Sequence, residues 1–268
     1  MCQTTRRKGL EDSCFVGEDA ASVDAHIKVL NDQHKTLHPD TALVKDRMTK
    51  TFAWRRREVA EGMCTVDLLK RYPFLGTSAG LCDEVDLMHP CQDNICRRFS
   101  ENFTAVLQNV LQMTKDLPLK KVYMEARENA LAEDITGIDF KGALLLLPSI
   151  FKEKIEDFII LGEMMHTDRP DISEVPLGLL LIRANSSDAT FFCPEKSAVL
   201  VEGNMIIDFT TLADAFLVIF GLTYALHLSY PKCLAKSFDF IQKVLMGLEG
   251  GKLKPKVLSL KNELLAAE

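Results

Sequence analysis

Ala198-Val199-Leu200-Val201, then Glu202-Gly203-Asn204, then Met205-Ile206-Ile207, form the opening of the stretch Ser197–Leu248 that decides the fold. Two short β-branched runs around a Gly-Asn pair are a hairpin signal. Thr210 or Thr211 can cap the helix that follows, with Asp214 in its first turn, where the positive helix end favours a carboxylate. From Leu212 to Leu228 nearly every residue is apolar. A helix apolar all round is either a membrane span or the centre of a core. A span needs about 20 apolar residues. This run is shorter, begins with an acid and is closed by His227 and Tyr230-Pro231, so it reads as a core helix. Pro231 suits the first turn of the next helix, where Leu234, Phe238, Ile241, Leu245 and Leu248 form one apolar face ended by Gly250-Gly251. A last helix, Lys256 to Ala266, puts Val257, Leu260 and Leu264 on one side and is expected to dock as a lid.

Outward from that stretch, the N-terminal part is helical. Residues 1–21 read as a disordered lead, and Ser22–His34 as a short helix with Val23, Ile27 and Leu30 inward. A longer helix runs from Thr41 to Glu61, with Val44, Met48, Phe52 and Val59 on its apolar side. Shorter helices cover 65–71 and 79–88, and a strongly amphipathic one covers 93–115. Helices at 119–132, 139–147 and from Ser149 to about Met165 follow. An acidic loop, His166–Glu174, leads through Pro176 to a strand at Leu177–Ile182, and a second strand is expected around Thr190–Cys193. The fold class is therefore α+β, mostly α-helical, with a small antiparallel β-sheet at about residues 177–208 and a C-terminal helical hairpin. The lead, the helical region 22–165 and the sheet-plus-helix region 166–268 are the divisions, the last two packed as one domain, with Asp168–Pro176 as the best candidate seam.

Composition bounds the function. At 268 residues with 47% hydrophobic content the chain can bury a full core. The net charge is −6 and neither half is basic, so no domain stands out as a nucleic-acid footprint. The eight cysteines have no repeating spacing, which suits reduced thiols. The N-terminus has charge but no apolar region behind it, unlike a signal peptide. An intracellular protein, cytoplasmic or nuclear and without a membrane anchor, is the expectation.

Several patterns imitate chemistry. Gly76-Thr77-Ser78-Ala79-Gly80 matches the Gly-x-Ser-x-Gly elbow, but that motif needs a strand before the serine. Here a helical turn broken by Pro73 precedes it, and Thr77 or Ser78 reads as a helix cap. Cys82, His89, Cys91 and Cys96 lack the paired spacing of a structural zinc site. Glu163-Met164-Met165-His166 lacks the leading histidine of the zincin pattern, and Gly250-Gly251-Lys252 lacks the remainder of a phosphate loop. His227 reads as a buried, satisfied histidine. No catalytic residue, metal or cofactor is assigned.

One patch looks functional. Lys45, Arg47, Lys50, Trp54, Arg55, Arg56 and Arg57 make the helix 41–61 the most basic segment of the chain. An aromatic beside arginines can stack on bases and grip phosphates. Three consecutive arginines, however, point around a helix, and pairs such as Arg57–Glu61 would make this a solvated face.

Thr51–Val59, Tyr72-Pro73-Phe74-Leu75, Pro170-Asp171-Ile172, Asp214-Ala215-Phe216-Leu217, Tyr224–Lys232 and Phe240-Ile241-Gln242-Lys243 are also familiar as a set. Together they resemble the C-terminal region of the sterile alpha motif domain-containing protein 3-like group of fish proteins, over about residues 40–268. Longer members of the group carry an N-terminal sterile alpha motif, a helical module that self-associates or binds partners; residues 1–40 are too short to hold one. The resemblance brings no catalytic residues. It implies a non-enzymatic protein-interaction module with an unidentified protein partner. The alternative is a nucleic-acid-binding protein, descended from a mobile element, using the basic helix Lys45–Arg57.

Overall fold

The computed structural model describes residues 18–90, 95–114, 117–163, 171–183, 194, 196–209, 212–248 and 252–265. Most of the lead 1–21, the strand expected at 190–193, the Thr210/Thr211 cap and the Gly250-Gly251 stop lie outside these residues.

Helix α1 (Ala20–His34) begins where the Asp19 side chain accepts from Ser22 N, two residues earlier than the apolar pattern suggested, and buries Val23, Ile27 and Leu30. Helix α2 (Thr41–Glu61) lies against it. Asp40 caps its start by accepting from Leu43 N, and Gly62, with φ of 92°, ends it. Helix α3 (Thr65–Arg71) and a 3-10 turn (Pro73–Gly76) lead to α4 (Ser78–Met88), whose cap is Thr77 accepting from Gly80 N at 3.1 Å. Helices α5 (Ile95–Met113), α6 (Pro118–Glu128) and α7 (Ile135–Ile150) complete the first part. Phe99 and Phe103 of α5 pack on Phe140 of α7.

The chain then departs from the expected helix at Ser149–Met165. Pro148 occupies the last turn of α7, and Lys152 adopts φ of 57° while Glu153 N donates back to Pro148 O at 3.0 Å. That left-handed residue closes the helix with its carbonyls satisfied. Glu153 turns its carboxylate away to accept from Lys236 N and Ser237 N. After a 3-10 turn, β1 (Ile159–Glu163) pairs in parallel with β2 (Leu177–Arg183). The segment supports both readings: Ile155, Phe158 and Ile159 recur at helical spacing, while the run Ile159-Ile160-Leu161 suits a strand equally.

β3 (Lys196–Val201) and β4 (Asn204–Phe209) extend the sheet antiparallel, giving the order β1-β2-β3-β4. The mostly helical class with a small sheet holds, and the sheet is mixed because β1 joins its edge. Glu202 and Gly203 both have positive φ, at 52° and 74°, between the paired Val201 and Asn204. This is the two-residue hairpin geometry whose twist matches its strands.

Helix α8 (Leu212–Ala225) packs on β2, β3, α4 and α7, which makes it the centre of the core. A 3-10 turn (Lys232–Leu234), α9 (Ala235–Phe240) and a π-helical turn (Ile241–Leu245) return beside it. Phe238 packs against Phe216, Phe220 and Tyr230. Helix α10 (Pro255–Leu265) buries Val257, Leu260 and Leu264 against α5 and α9, as the lid reading required. One apolar cluster includes residues from Val23 to Leu264. Among the described residues, no helix is long and apolar enough to cross a membrane.

Helices α6 and α7 pack tightly at Gly142, where a Cβ would lie 2.3 Å from Tyr123 Cδ2. The Tyr123 hydroxyl donates to Asp139 Oδ1 at 2.6 Å, so the ring has little room to withdraw. Gly142→Ala is expected to cost about 1–3 kcal/mol by overpacking. Urea denaturation against the unmodified chain measures it, and an unchanged midpoint would mean that the helices slide freely.

Candidate interaction surface on the basic helix

The basic residues of α2 separate by position around the helix. Met48, Phe52, Arg55 and Val59 recur at the spacing of one face, so Arg55 falls on the apolar side and is fully buried. Its Nη2 and Nε donate to Glu84 Oε2 at 2.5 and 3.1 Å, and its Nη1 donates to Thr51 Oγ1. The guanidinium carbon lies 5.4 Å from the Tyr72 ring centroid and 5.8 Å from that of Phe52. Burial also pushes the Tyr72 phenol up to about 12. Arg55 is therefore removed from the candidate contact surface.

Arg56 also turns inward. Its Nη1 donates to Ala225 O at the C-terminus of α8 and lies 3.8 Å from Glu84 Oε1. A cation at a helix C-terminus meets the negative end of the helix dipole. Burial lowers the Arg56 pKa, with Glu84 opposing that shift and Arg55 adding to it. Two arginines and Glu84 thus tie α2 to α4 and α8. Glu84 was legible as an anomaly, since it shares an apolar face with Leu81 and Val85.

Of the remaining cations, Lys45, Lys50 and Arg57 are exposed and Arg47 is half-buried. Lys45 Nζ lies 3.7 Å from Asp83, and Asp46 takes both Arg47 at 2.9 Å and Lys50 at 3.3 Å. Trp54 is half-buried, and its Nε1 donates to Glu18 O at 3.2 Å. Arg57 is exposed, with its guanidinium carbon 4.9 Å from the Trp54 ring centroid. The pair expected between Arg57 and Glu61 does not form among the described contacts. A hydrogen bond from Ser22, reinforced by His26 and Lys50, holds the Glu18 carboxyl below its usual range.

The other candidate sites resolve differently. Ser78 stands in the first turn of α4 behind a 3-10 turn, not a strand, and borders a cavity of about 20 Å³ with Leu81, Cys82 and Phe220. That is room for one water at most. His89 Nε2 lies 2.7 Å from the Tyr224 hydroxyl. Cys91 and the side chain of Cys96 lie outside the described residues, as do 164–170. Among the described residues no group of His, Cys, Asp and Glu is arranged to hold a metal ion. Cys64 and Cys233 are free thiols, but Cys82 is disulfide-bonded, which corrects the expectation of uniformly reduced cysteines. His227 is not inside the core helix: it is half-buried, with φ of 53°, just past the end of α8, while Leu228 N donates to Thr223 O at 2.9 Å. It fills the left-handed closing position where glycine is usual.

Residues 19–77 match the family model described as sterile alpha motif domain-containing protein 3, helical domain. That segment is α1, α2, α3 and the turn to Thr77. Over 251 residues the chain is 22% identical to sterile alpha motif domain-containing protein 3 of Mus musculus, covering 91% of this chain and 45% of the relative. The Homo sapiens protein of that name is 20% identical over 244 residues, covering 89% and 43%. The resemblance read from the motifs holds across most of the chain, which spans less than half the length of the curated relatives it matches. No solved structure matches.

Substitutions at two positions of this geometry give measurable outcomes. Glu84→Ala strands Arg55 in the core and is expected to cost about 3–5 kcal/mol. The double variant Arg55→Met/Glu84→Met is expected to recover most of that loss in the same urea experiment. His227→Val, a β-branched residue at positive φ, is expected to cost about 1–2 kcal/mol, and His227→Gly to be tolerated.

Proposed function

We propose that this chain is a non-enzymatic protein-interaction module and that α1–α2 presents its contact surface. The observation carrying this reading is that the sterile alpha motif domain-containing protein 3 helical-domain match at 19–77 coincides with the α1–α3 unit, where the exposed Arg57 lies over the half-buried Trp54. Tryptophan and arginine are the residues most enriched at interface hot spots. The inward turn of Arg55 and Arg56 weighs against the nucleic-acid alternative, because grip on a phosphate backbone scales with the cations available to it. The reading takes the protein as intracellular; the free Cys64 and Cys233 fit that setting, and the Cys82 disulfide is the observation against it.

Proximity labelling in the native cell tests the proposal by comparing the unmodified chain with Lys50→Glu/Arg57→Glu. A reproducible set of protein neighbours, lost in the variant, is the expected outcome. Identical neighbours for both chains would remove α2 as the contact. A nuclease-sensitive neighbour set, together with low-salt binding of DNA or RNA, would promote the alternative.

A further inference from the structure

Helix α10 docks on α5 and α9, and between it and the exit of α7 lies a cleft of about 260 Å³. Ile150, Phe151 and Leu260 supply its apolar surface, while the exposed Lys152 comes from one wall and the exposed Lys256 from the other. Both lysines stand where the local fold disfavours them. Lys152 closes α7 at φ of 57°, a conformation that glycine adopts without a Cβ penalty. Lys256 is in the first turn of α10, where its charge meets the positive end of the helix dipole. Other lysines of this region are paired: Lys236 with Glu153, and Lys243 and Lys254 with Asp239. Among the described residues, Lys152 and Lys256 have no carboxylate within ion-pair range. Residues that break a local rule without a structural gain concentrate at functional sites.

We propose that this cleft binds a small amphipathic carboxylate, its charge held by Lys152 and Lys256 and its apolar body laid on Ile150, Phe151 and Leu260. The site is independent of the α2 surface. Its volume falls just below that of drug-sized pockets, which suits a ligand of about eight to ten non-hydrogen atoms. Glu263 also borders the cleft, seven positions after Lys256 and so about 10 Å further along α10. Ser259 Oγ donates to Glu263 Oε1 at 2.9 Å and ties that carboxylate to its own helix. The wall formed by α10 therefore runs from a cation to an acid, which suits one anionic group at the lysine end and repels a polyanion.

Hexanoate has the required size and serves as the probe. The full chain is titrated by calorimetry at low salt, where exposed charges are least screened, with hexanoate, acetate, hexanol and hexylammonium. Saturable binding of hexanoate with a Kd of about 0.1–1 mM is expected, an affinity within reach of so few atoms. Acetate lacks the apolar body, and hexanol and hexylammonium lack the anion, so each should bind at least about tenfold more weakly. Lys152→Gly and Lys256→Gln should each weaken hexanoate by about tenfold while leaving the urea midpoint as high as that of the unmodified chain or higher. No saturable heat up to about 10 mM hexanoate, equal binding of hexanol, or hexanoate binding that survives both substitutions would each overturn the inference. A lower midpoint in either variant would show that the lysine is held there for stability, and that too would overturn it.

Discussion

The arrangement of helices depends on one buried ion pair, Arg55 with Glu84. Arg55 has no solvent exposure and Glu84 almost none, so each is tolerated in the core only because the other is there. The desolvation of two charges is large, and the attraction between them offsets it only with good geometry and further hydrogen bonds. Thr51 supplies one of those bonds, and the rings of Phe52 and Tyr72 supply apolar contact around the guanidinium. Apolar residues of similar volume could fill the space as well. The pair nonetheless favours one alignment of α2 on α4, because any other would leave a buried charge without its partner.

Arg56 extends that constraint to the centre of the molecule. By donating to Ala225 O it meets α8 at the end where carbonyls lack partners, two residues before the left-handed His227. Helix α8 is in turn pressed between α4 and the sheet. The sheet is apolar on both sides: Leu179, Leu181, Val199 and Val201 join the main core, while Leu180, Ala198 and Leu200 form a second cluster with Ile160, Ile172 and Val175 around it. A strand buried on both faces loses the polar alternation that normally marks it.

That loss explains much of what could and could not be read in advance. The core helix, the hairpin, the amphipathic α5 and the lid α10 were legible because each follows a single rule of periodicity or turn chemistry. β1 was not, since Pro148 and Lys152 end α7 through backbone geometry that leaves little trace in composition, and the apolar residues after it fit either period. At the candidate surface, the basic character of α2 was plain but the direction of each arginine was not. Arg55 could have been assigned inward from its place seven residues after Met48, and Glu84 from its place beside Leu81 and Val85. Helical phase is a better guide than charge type to which of these residues is buried. Arg56 had no such signal, because its partner is a backbone carbonyl 169 residues away.

The same separation by phase gives α2 two distinct faces. Its inward arginines are consumed by structure, and their removal would be felt as misfolding before any partner could be tested. Its outward row is decoupled from that node: Arg57 touches Trp54, and Lys50 touches Asp46. Surface residues of this kind can change with little effect on stability, so the outward row of α2 is free to vary while Arg55 and Arg56 keep the helix in place. A rigid element that anchors itself with one face and presents a preorganised aromatic–cation pair on the other is well suited to binding, because little order remains to be gained when a partner arrives.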